Sequence, residues 1–355
     1  MSRVGGEPFA IVGASVFDGQ AAATLPGRTV VVAGGLVERV GPAGEVEVPG
    51  GVRVLDGDGL TVLPGLVDAH VHLGFYPAAA VLRGGVTTVR DLGWPAGRLA
   101  ALRKAAAPAG AASPRVLAAG QIVTVPGGYP TRAAWAPPGT ARPVRGEDEA
   151  ALAVAELAEA GSCVVKVALD DRVGPTLPGP VLAALVAAAR DHGLGVTAHV
   201  AGVRELEKAL AAGVGELAHW PFAAPALPAG LVARLATAVT VVPTLHVEPS
   251  PARLEGVRAF VRAGGRVVYG TDLGNQGPPP GADVSELRLL ADAGLGAAGA
   301  LAAATSAAAA HLGLAGAGRV AAGARADLLV VEGDPVADLG ALSRVRLVTR
   351  DGVPA

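Results

Sequence analysis

The middle of the chain alternates between short runs that are apolar on both faces and longer segments in which apolar residues recur with helical spacing. Such runs are typical of buried parallel strands, and the segments between them predict amphipathic helices. Eight strands alternating with helices predict an α/β fold, a (β/α)8 TIM-like barrel over residues 66–312. The strand-like runs are 63–72, 86–89, 115–122, 163–169, 195–200, 215–218, 239–243 and 266–270. The helical segments are 148–160, 180–192, 203–212, 227–237, 252–263 and 283–293.

The two ends of the chain have a different pattern. Short β-rich runs at 9–12, 29–32, 36–40 and 52–55 are bounded by Gly, Asp or Pro, and the same style returns after residue 326. These strands are too short to form the main core, but they can pair with each other. We therefore expect residues 1–65 plus 313–355 to form a composite β-sandwich beside the barrel.

Composition narrows the class of protein. The 355 residues carry 29 basic and 31 acidic side chains, a formal net charge of −2, which gives no indication of a nucleic-acid partner. No apolar run approaches the roughly 20 residues that span a bilayer, and the N-terminus lacks a signal-peptide pattern. The sequence predicts a soluble cytoplasmic protein with a small-molecule substrate and no membrane partner. A homo-oligomer is compatible with it.

Polar side chains occur where the predicted barrel strands end, which is where barrels place their functional groups. His70 and His72 alternate along one strand, so both project to the same side and could bind one metal ion. Taken singly, each polar residue has an ordinary alternative as a core histidine, a lysine with a solvated head or a helix cap. Their convergence on one face favours a metal site. The other four are Lys166, His199, His219 and Asp272.

The motifs around these residues resemble the amidohydrolase superfamily, in particular imidazolonepropionases and Xaa-Pro dipeptidases. The motifs are PGLVDAHVH at 64–72, GVTTVRDLG at 85–93, VKV at 165–167, AH at 198–199, AH at 218–219, GTD at 270–272, ATSAAA at 304–309 and GARADL at 323–328. The resemblance covers nearly the whole chain. It implies a barrel joined to a β-sandwich, in agreement with the hydrophobic pattern.

The resemblance also implies a binuclear metal-dependent amidohydrolase. His70, His72 and Asp272 would hold one divalent ion, with zinc the leading candidate, and His199 with His219 would hold a second. Lys166 would bridge the two ions as a carbamate formed with CO2, because an ammonium group cannot bind a cation. A hydroxide held between the ions would attack an amide, lactam or related acyl carbonyl, and Asp272 would shuttle the proton.

Several alternatives remain open at this point. The same site could serve an Xaa-Pro-type dipeptidase, or a lyase or isomerase. It could also bind metal without catalysis, or work with one ion and an unmodified Lys166. Metal stoichiometry and turnover of a substrate panel distinguish these hypotheses.

Residues in the loops at the strand ends are candidate substrate contacts. Aromatic side chains are scarce in this chain, and several follow these strands, which predicts an apolar or ring-binding pocket unless they only pack the loops. The turn Gly127-Gly128-Tyr129-Pro130 replaces the Gly-Gly-His-Gly that is common in related dipeptidases. A neutral phenol there favours a bulky, largely neutral substrate over a zwitterionic dipeptide. The candidates are Phe75, Tyr76, Tyr129, Arg132, Trp220 and His246.

Overall fold

The computed structural model describes residues 6–222 and 227–355, which form a mixed α/β fold. The strands are β1 (Phe9–Val16), β2 (Leu25–Ala33), β3 (Leu36–Pro42), β4 (Arg53–Asp56), β5 (Leu60–Pro64), β6 (Leu66–Val71), β7 (Val86–Asp91), β8 (Arg115–Ala118), β9 (Ile122–Thr124), β10 (Ala141–Pro143), β11 (Val164–Leu169), β12 (Gly195–Val200), β13 (Glu216–Leu217), β14 (Thr240–Val241), β15 (Arg266–Val267), β16 (Leu328–Glu332), β17 (Val345–Arg350) and β18 (Val353–Pro354).

The α-helices are α1 (Ala78–Arg83), α2 (Ala96–Ala106), α3 (Glu147–Glu159), α4 (Gly179–Asp191), α5 (Val203–Ala212), α6 (Ala229–Ala238), α7 (Pro251–Arg262), α8 (Val284–Leu290), α9 (Gly296–Ala303) and α10 (Ser306–His311). Short 3-10 helices lie at Leu73–Phe75 and Leu339–Ser343, and a π-helical turn lies at Ala291–Leu295. Within the described ranges, no helix has the length and apolar character needed to cross a membrane.

Parallel strands form the centre of the molecule in two sheets. One has the order β6-β7-β8, and the other has the order β10-β9-β11-β12-β13-β14-β15. The predicted third strand, 115–122, is divided: β8 pairs with β7, whereas β9 pairs with β11. Gly120, at φ +82° between the two pieces, takes a left-handed conformation that interrupts a strand. Over the described residues the fold is therefore TIM-barrel-like, but its strands do not form one continuous closed barrel.

The first strand of this region lies beside the segment that follows its last strand. The backbone amide of Asp272 donates to the carbonyl of His70 at 2.7 Å, and the amide of His72 donates to the carbonyl of Leu273 at 2.7 Å. These hydrogen bonds place the ends of β6 and β15 at one edge of the molecule. Two of the predicted metal ligands are thus fixed to a third by main-chain contacts.

A buried ion pair crosses the interior between the two parallel sheets. Arg90 of β7 donates through Nη1 and Nη2 to Glu216 of β13, at 2.9 and 2.6 Å, and through Nε to the carbonyl of Ala69 at 2.8 Å. Arg90 is 3% exposed and Glu216 is 4% exposed. Burial alone would raise the pKa of Glu216, but Arg90 and His311 hold it well below its ordinary value. The pair therefore remains charged and links strands that belong to different sheets.

The two ends of the chain meet in a separate eight-stranded sheet. Its order is β18-β17-β16-β5-β1-β2-β3, with β4 paired to β1. Strand β16 runs antiparallel to β5 and pairs Leu329 with Leu63 and Val330 with Val62. The expected pairing of the two ends is present, as one mixed sheet with its own apolar core. The division into a sandwich of 1–65 plus 313–355 and a barrel of 66–312 stays a prediction, and residues 1–5 lie outside the described residues.

The ion pair between the sheets predicts a large stability effect. We expect Arg90→Met to lower the free energy of unfolding by about 3–5 kcal/mol, because it removes the two guanidinium hydrogen bonds to the buried Glu216 carboxylate and leaves only His311 as its charged partner. The control is Arg142→Met, which breaks a pair with the exposed Glu156 and should lower stability by less than about 1 kcal/mol. Denaturant titration of both variants measures the difference. Equal losses would contradict the assigned role of the buried pair.

Candidate metal centre

Three predicted ligands converge on one point at the end of β6. Oδ1 of Asp272 lies 3.2 Å from Nε2 of His70 and 3.3 Å from Nε2 of His72. One ligand atom from each of the three residues lies within 4.8 Å of the others, and all three side chains are buried. Imidazole nitrogens and a carboxylate oxygen at this spacing can share one divalent ion.

The other three predicted ligands line the same cavity, which has a volume of about 310 Å³. The ring of His219 lies 4.7 Å from that of His70 and 4.8 Å from that of His199, centroid to centroid. Lys166 projects from β11 into this space. The structure therefore brings together all six residues that the strand-end pattern and the resemblance selected. Their individual roles as ligands stay predictions.

Hydrogen bonds to backbone carbonyls fix the two histidines of β6. Nδ1 of His70 donates to the carbonyl of Ala218 at 2.9 Å, and Nδ1 of His72 donates to the carbonyl of Gly93 at 3.0 Å. A carbonyl oxygen can only accept, so each Nδ1 carries the proton and each Nε2 keeps its lone pair. Both lone pairs then face Asp272 and are available to a metal ion.

Side chains hold the other two predicted histidine ligands, His219 through Nδ1 and His199 through Nε2. Nδ1 of His219 lies 2.7 Å from Oγ1 of Thr244, which leaves Nε2 directed into the site. His199 instead places Nε2 3.2 Å from Oδ2 of Asp170. A carboxylate accepts, so Nε2 is the protonated nitrogen of His199 and Nδ1 is the one left to bind a metal.

Left-handed backbone conformations occur at two residues of the centre. Asp272 has φ +55° and Thr244 has φ +48°, a region that a β-branched residue such as threonine rarely adopts. Buried Asp68 supports the first by accepting from the amide of Thr271 at 3.1 Å and from its hydroxyl at 2.6 Å. Strain of this kind persists only where neighbours enforce it, and here it directs Asp272 into the cavity and the hydroxyl of Thr244 to His219.

Unpartnered polar atoms show that the donor set suits a cation. Nε2 of His70, Nζ of Lys166 and Oδ1 of Asp272 are buried, and none has a hydrogen-bond partner among the described residues. Burial lowers the pKa of His70 well below its ordinary value, so this imidazole is neutral, as ligation requires. Burial also lowers the pKa of Lys166 to about 7. At neutral pH a large fraction of Lys166 is thus the amine that can react with CO2.

Aromatic side chains form part of the cavity wall. Phe75 and Tyr129, both predicted substrate contacts, line it together with Trp135 and Phe222, two further aromatic residues of the loops that follow the strands. The ring of Tyr129 is stacked 5.0 Å from that of His199, and Nε1 of Trp135 donates to the Tyr129 hydroxyl at 2.9 Å. The wall is therefore built from residues of several loops that meet only in the folded chain.

Four other predicted substrate contacts do not line this cavity. Trp220 is fully buried in the hydrophobic core, because it follows His219 directly and the two side chains point in opposite directions. Nδ1 of His246 is hydrogen-bonded to Asp283 at 2.7 Å. Tyr76 packs against the core, and Arg132 is exposed on its loop. Their role as substrate contacts stays a prediction that the lining of this cavity does not support.

Three charged residues that the sequence analysis did not select, Asp170, Arg172 and Glu248, also line the cavity. Asp170 and Arg172 follow β11 directly, and both face the same space as the six predicted ligands. Their position at a strand end is the signal that could have identified them. Asp170 and Arg172 lie just beyond the VKV motif at 165–167, and no motif of the resemblance includes them.

The fold and the site together define a metal-binding α/β protein of the TIM-barrel-like class. The sequence pattern of the Amidohydrolase family matches residues 61–355, and the chain therefore belongs to this family. The predicted family is confirmed. Divalent metals are general in this family, and the cluster of His70, His72 and Asp272 is a matching site.

Comparison with known proteins gives three chains to which this one is similar. It is 42% identical over 73 residues to an adenine deaminase of Paracoccus denitrificans, a match that covers 18% of this chain but only 12% of that protein. A putative prolidase from Bifidobacterium longum is 28% identical with a TM-score of 0.84, covering 98% of this chain and 94% of its own. An Xaa-Pro dipeptidase with bound methionine has a TM-score of 0.85 at 23% identity, covering 98% and 99%. The last comparison shows the fold alone.

The hydrogen bond between Thr244 and His219 predicts an effect on metal affinity. We expect Thr244→Val to weaken the affinity for divalent metal by about 10- to 100-fold, because the imidazole loses the partner that fixes its ring. Valine is also β-branched, so the backbone strain is similar. The control is Thr237→Val, whose hydroxyl contacts only the carbonyl of Arg234 on the surface. Competition with a chromophoric chelator measures both, and equal affinities would contradict the prediction.

Proposed function

We propose that this chain is a binuclear metal-dependent hydrolase that cleaves the carbon–nitrogen bond of an amide, lactam or related acyl compound. Membership of the Amidohydrolase family supports a hydrolase of this class. The observation that carries the proposal is the convergence of six candidate ligands on one cavity. They are His70, His72, Lys166, His199, His219 and Asp272.

The ligand set divides naturally into two halves. His70, His72 and Asp272 would hold one ion, His199 and His219 would hold the other, and Lys166 would bridge them as its carbamate. Six donors are more than the four that a tetrahedral single site uses. Divalent ions bound here would activate a water molecule and polarise the acyl carbonyl of the substrate.

Asp272 is suited to move the proton. Its Oδ1 lies 3.2 Å from Nε2 of His70 and 3.3 Å from Nε2 of His72, and a divalent ion shared by these three groups would keep the carboxyl group ionised. Its Oδ1 is buried and unpartnered among the described residues. As a fixed carboxylate it can accept a proton from the attacking water and deliver it to the leaving nitrogen.

The aromatic wall indicates a substrate with a ring or another bulky apolar group. Phe75, Trp135 and Phe222 offer apolar surface on different sides of the cavity. Tyr129 accepts a hydrogen bond from Trp135, which leaves its own hydroxyl hydrogen for an acceptor on the substrate. Burial raises the pKa of Tyr129, so it remains a donor at neutral pH.

An Xaa-Pro-type dipeptidase is the second candidate. Similarity to the putative prolidase from Bifidobacterium longum over nearly the whole chain favours it. The two candidates are separated by kcat/KM for N-acyl aromatic amides and lactams against Xaa-Pro dipeptides. A tenfold or greater preference for free dipeptides would replace the first proposal with the second. Products formed without the addition of water would indicate a lyase or isomerase, and absence of all turnover would indicate a non-catalytic scaffold.

Metal content tests the binuclear site directly. We expect about two divalent ions per chain, with zinc as the leading candidate, and loss of metal with most activity in Lys166→Ala. Acetate should restore part of both, because a small carboxylate can occupy the place of the carbamate. Lys104→Ala, at an exposed position of α2, is the control and should keep both ions. One ion in a fully active preparation, or unchanged metal and rate in Lys166→Ala, would contradict the binuclear proposal.

Substitution of Asp272 tests the proton transfer. Asp272→Asn should bind substrate but turn over about 10²- to 10⁴-fold more slowly, because an amide cannot accept the proton. The matched control is Asp292→Asn. Asp292 is exposed and does not line the cavity, so this substitution should leave kcat unchanged. Steady-state kinetics on one substrate measure both variants. Near-normal turnover in Asp272→Asn would remove this residue from the mechanism.

A further inference from the structure

Arg172 and Asp170 form a charged unit in the cavity wall to which the hydrolytic mechanism assigns no role. Nε and Nη2 of Arg172 donate to the two carboxylate oxygens of Asp170, at 2.9 and 2.8 Å. Asp170 is 3% exposed and accepts two further hydrogen bonds, from the amide of Arg172 at 3.1 Å and from Nε2 of His199 at 3.2 Å. The guanidinium is thus held in one orientation next to a predicted metal ligand.

The pairing leaves part of the guanidinium unused. Nη1 of Arg172, with two N–H groups, has no hydrogen-bond partner in the part of the chain that the structure describes, and Nη2 uses only one of its two. The guanidinium carbon also lies 5.4 Å from the ring centroid of Phe222, another residue of the wall. Arg172 therefore presents fixed, unoccupied donors to a space that also has an aromatic surface.

The hydrogen bonds within this unit leave the donors of Arg172, and not the oxygens of Asp170, free for a ligand. Both oxygens of Asp170 are engaged by Arg172 and His199, so the carboxylate has little capacity left. Arg172 is 43% exposed and Glu248, which also lines the cavity, is exposed as well, so solvent screens both charges and the fixed geometry of the guanidinium distinguishes this position. An orientated guanidinium next to a saturated carboxylate is a preorganised site for an anion, and its planar fork matches a carboxylate.

We propose that Arg172, positioned by Asp170, binds a carboxylate group of the substrate and so determines its specificity. The sequence favoured a largely neutral substrate because the turn at Tyr129 carries no positive charge. Arg172 supplies that charge from a different loop, after β11. The substrate class becomes an acyl compound that combines a ring or apolar group with a carboxylate. This inference takes only the cleaved bond, the acyl carbon–nitrogen bond, from the proposed function. The carboxylate site itself is argued from Arg172 and Asp170.

The test measures binding without turnover. The probes are 3-phenylpropanoate and 3-phenylpropan-1-ol, which share the ring and the chain, differ in the carboxylate and contain no bond for a hydrolase to cleave. Calorimetric titration of the metal-loaded enzyme should give at least about tenfold tighter binding of the carboxylate, as expected for a charge-assisted hydrogen bond. Arg172→Gln should abolish this preference. Arg204→Gln, which removes an exposed arginine paired with Asp171, should preserve it.

The outcomes separate this inference from the proposed function. Measurements on the wild-type enzyme alone can overturn the role of Arg172. Equal affinity for the two probes would do so, and so would failure of 3-phenylpropanoate to bind. A preference that persists in Arg172→Gln also overturns it, since the carboxylate is then bound by the metal ions. Loss of the preference in Arg172→Gln supports it, even if the kinetic assays find no hydrolysis and the proposed function fails.

Discussion

The ion pair between Arg90 and Glu216 is the interaction on which the central architecture depends. It spans the interior between the two parallel sheets, which also meet through main-chain hydrogen bonds at the end of β6, and it anchors to β6 through the carbonyl of Ala69. It also acts on the site. Burial lowers the pKa of Lys166 and Asp272 raises it, and the smaller effects of Glu216, which raises it, and Arg90, which lowers it, oppose each other.

Much of the fold could be predicted from sequence, because apolar strands and amphipathic helices have distinct periods. The expected helix start at Asp283 is present, with its side chain accepting from the amides of Ser285 and Glu286 at 3.0 and 3.2 Å. The structure departs from the predicted strands and helices at glycines that lie inside apparently regular segments. Gly120 divides the third strand, and Gly294, at φ +110°, lies in a π-helical turn that ends the segment begun by α8. A sequence does not show which glycines adopt a left-handed conformation.

The site was predictable to the extent that one geometric rule governs it. Strand ends gather on one face, so polar residues in the strand-end motifs were found together. The rule does not give the direction of side chains beyond a strand. Trp220 turns into the core beside His219, and His246 is bound by Asp283. Arg172 was missed for a related reason, since only the folded loop shows that its donors face the cavity.

The break at Gly120 has a consequence for how the cavity is assembled. Because β9 and β10 belong to the seven-stranded sheet, the loop that carries Trp135 is anchored there, whereas His72 follows β6 of the three-stranded sheet. Their rings are tilted by 52° and lie 5.0 Å apart, centroid to centroid. A wall residue anchored on one sheet therefore packs against a predicted metal ligand that follows a strand of the other. The shape of the cavity at this point depends on how the two sheets are aligned as well as on the conformation of the loop.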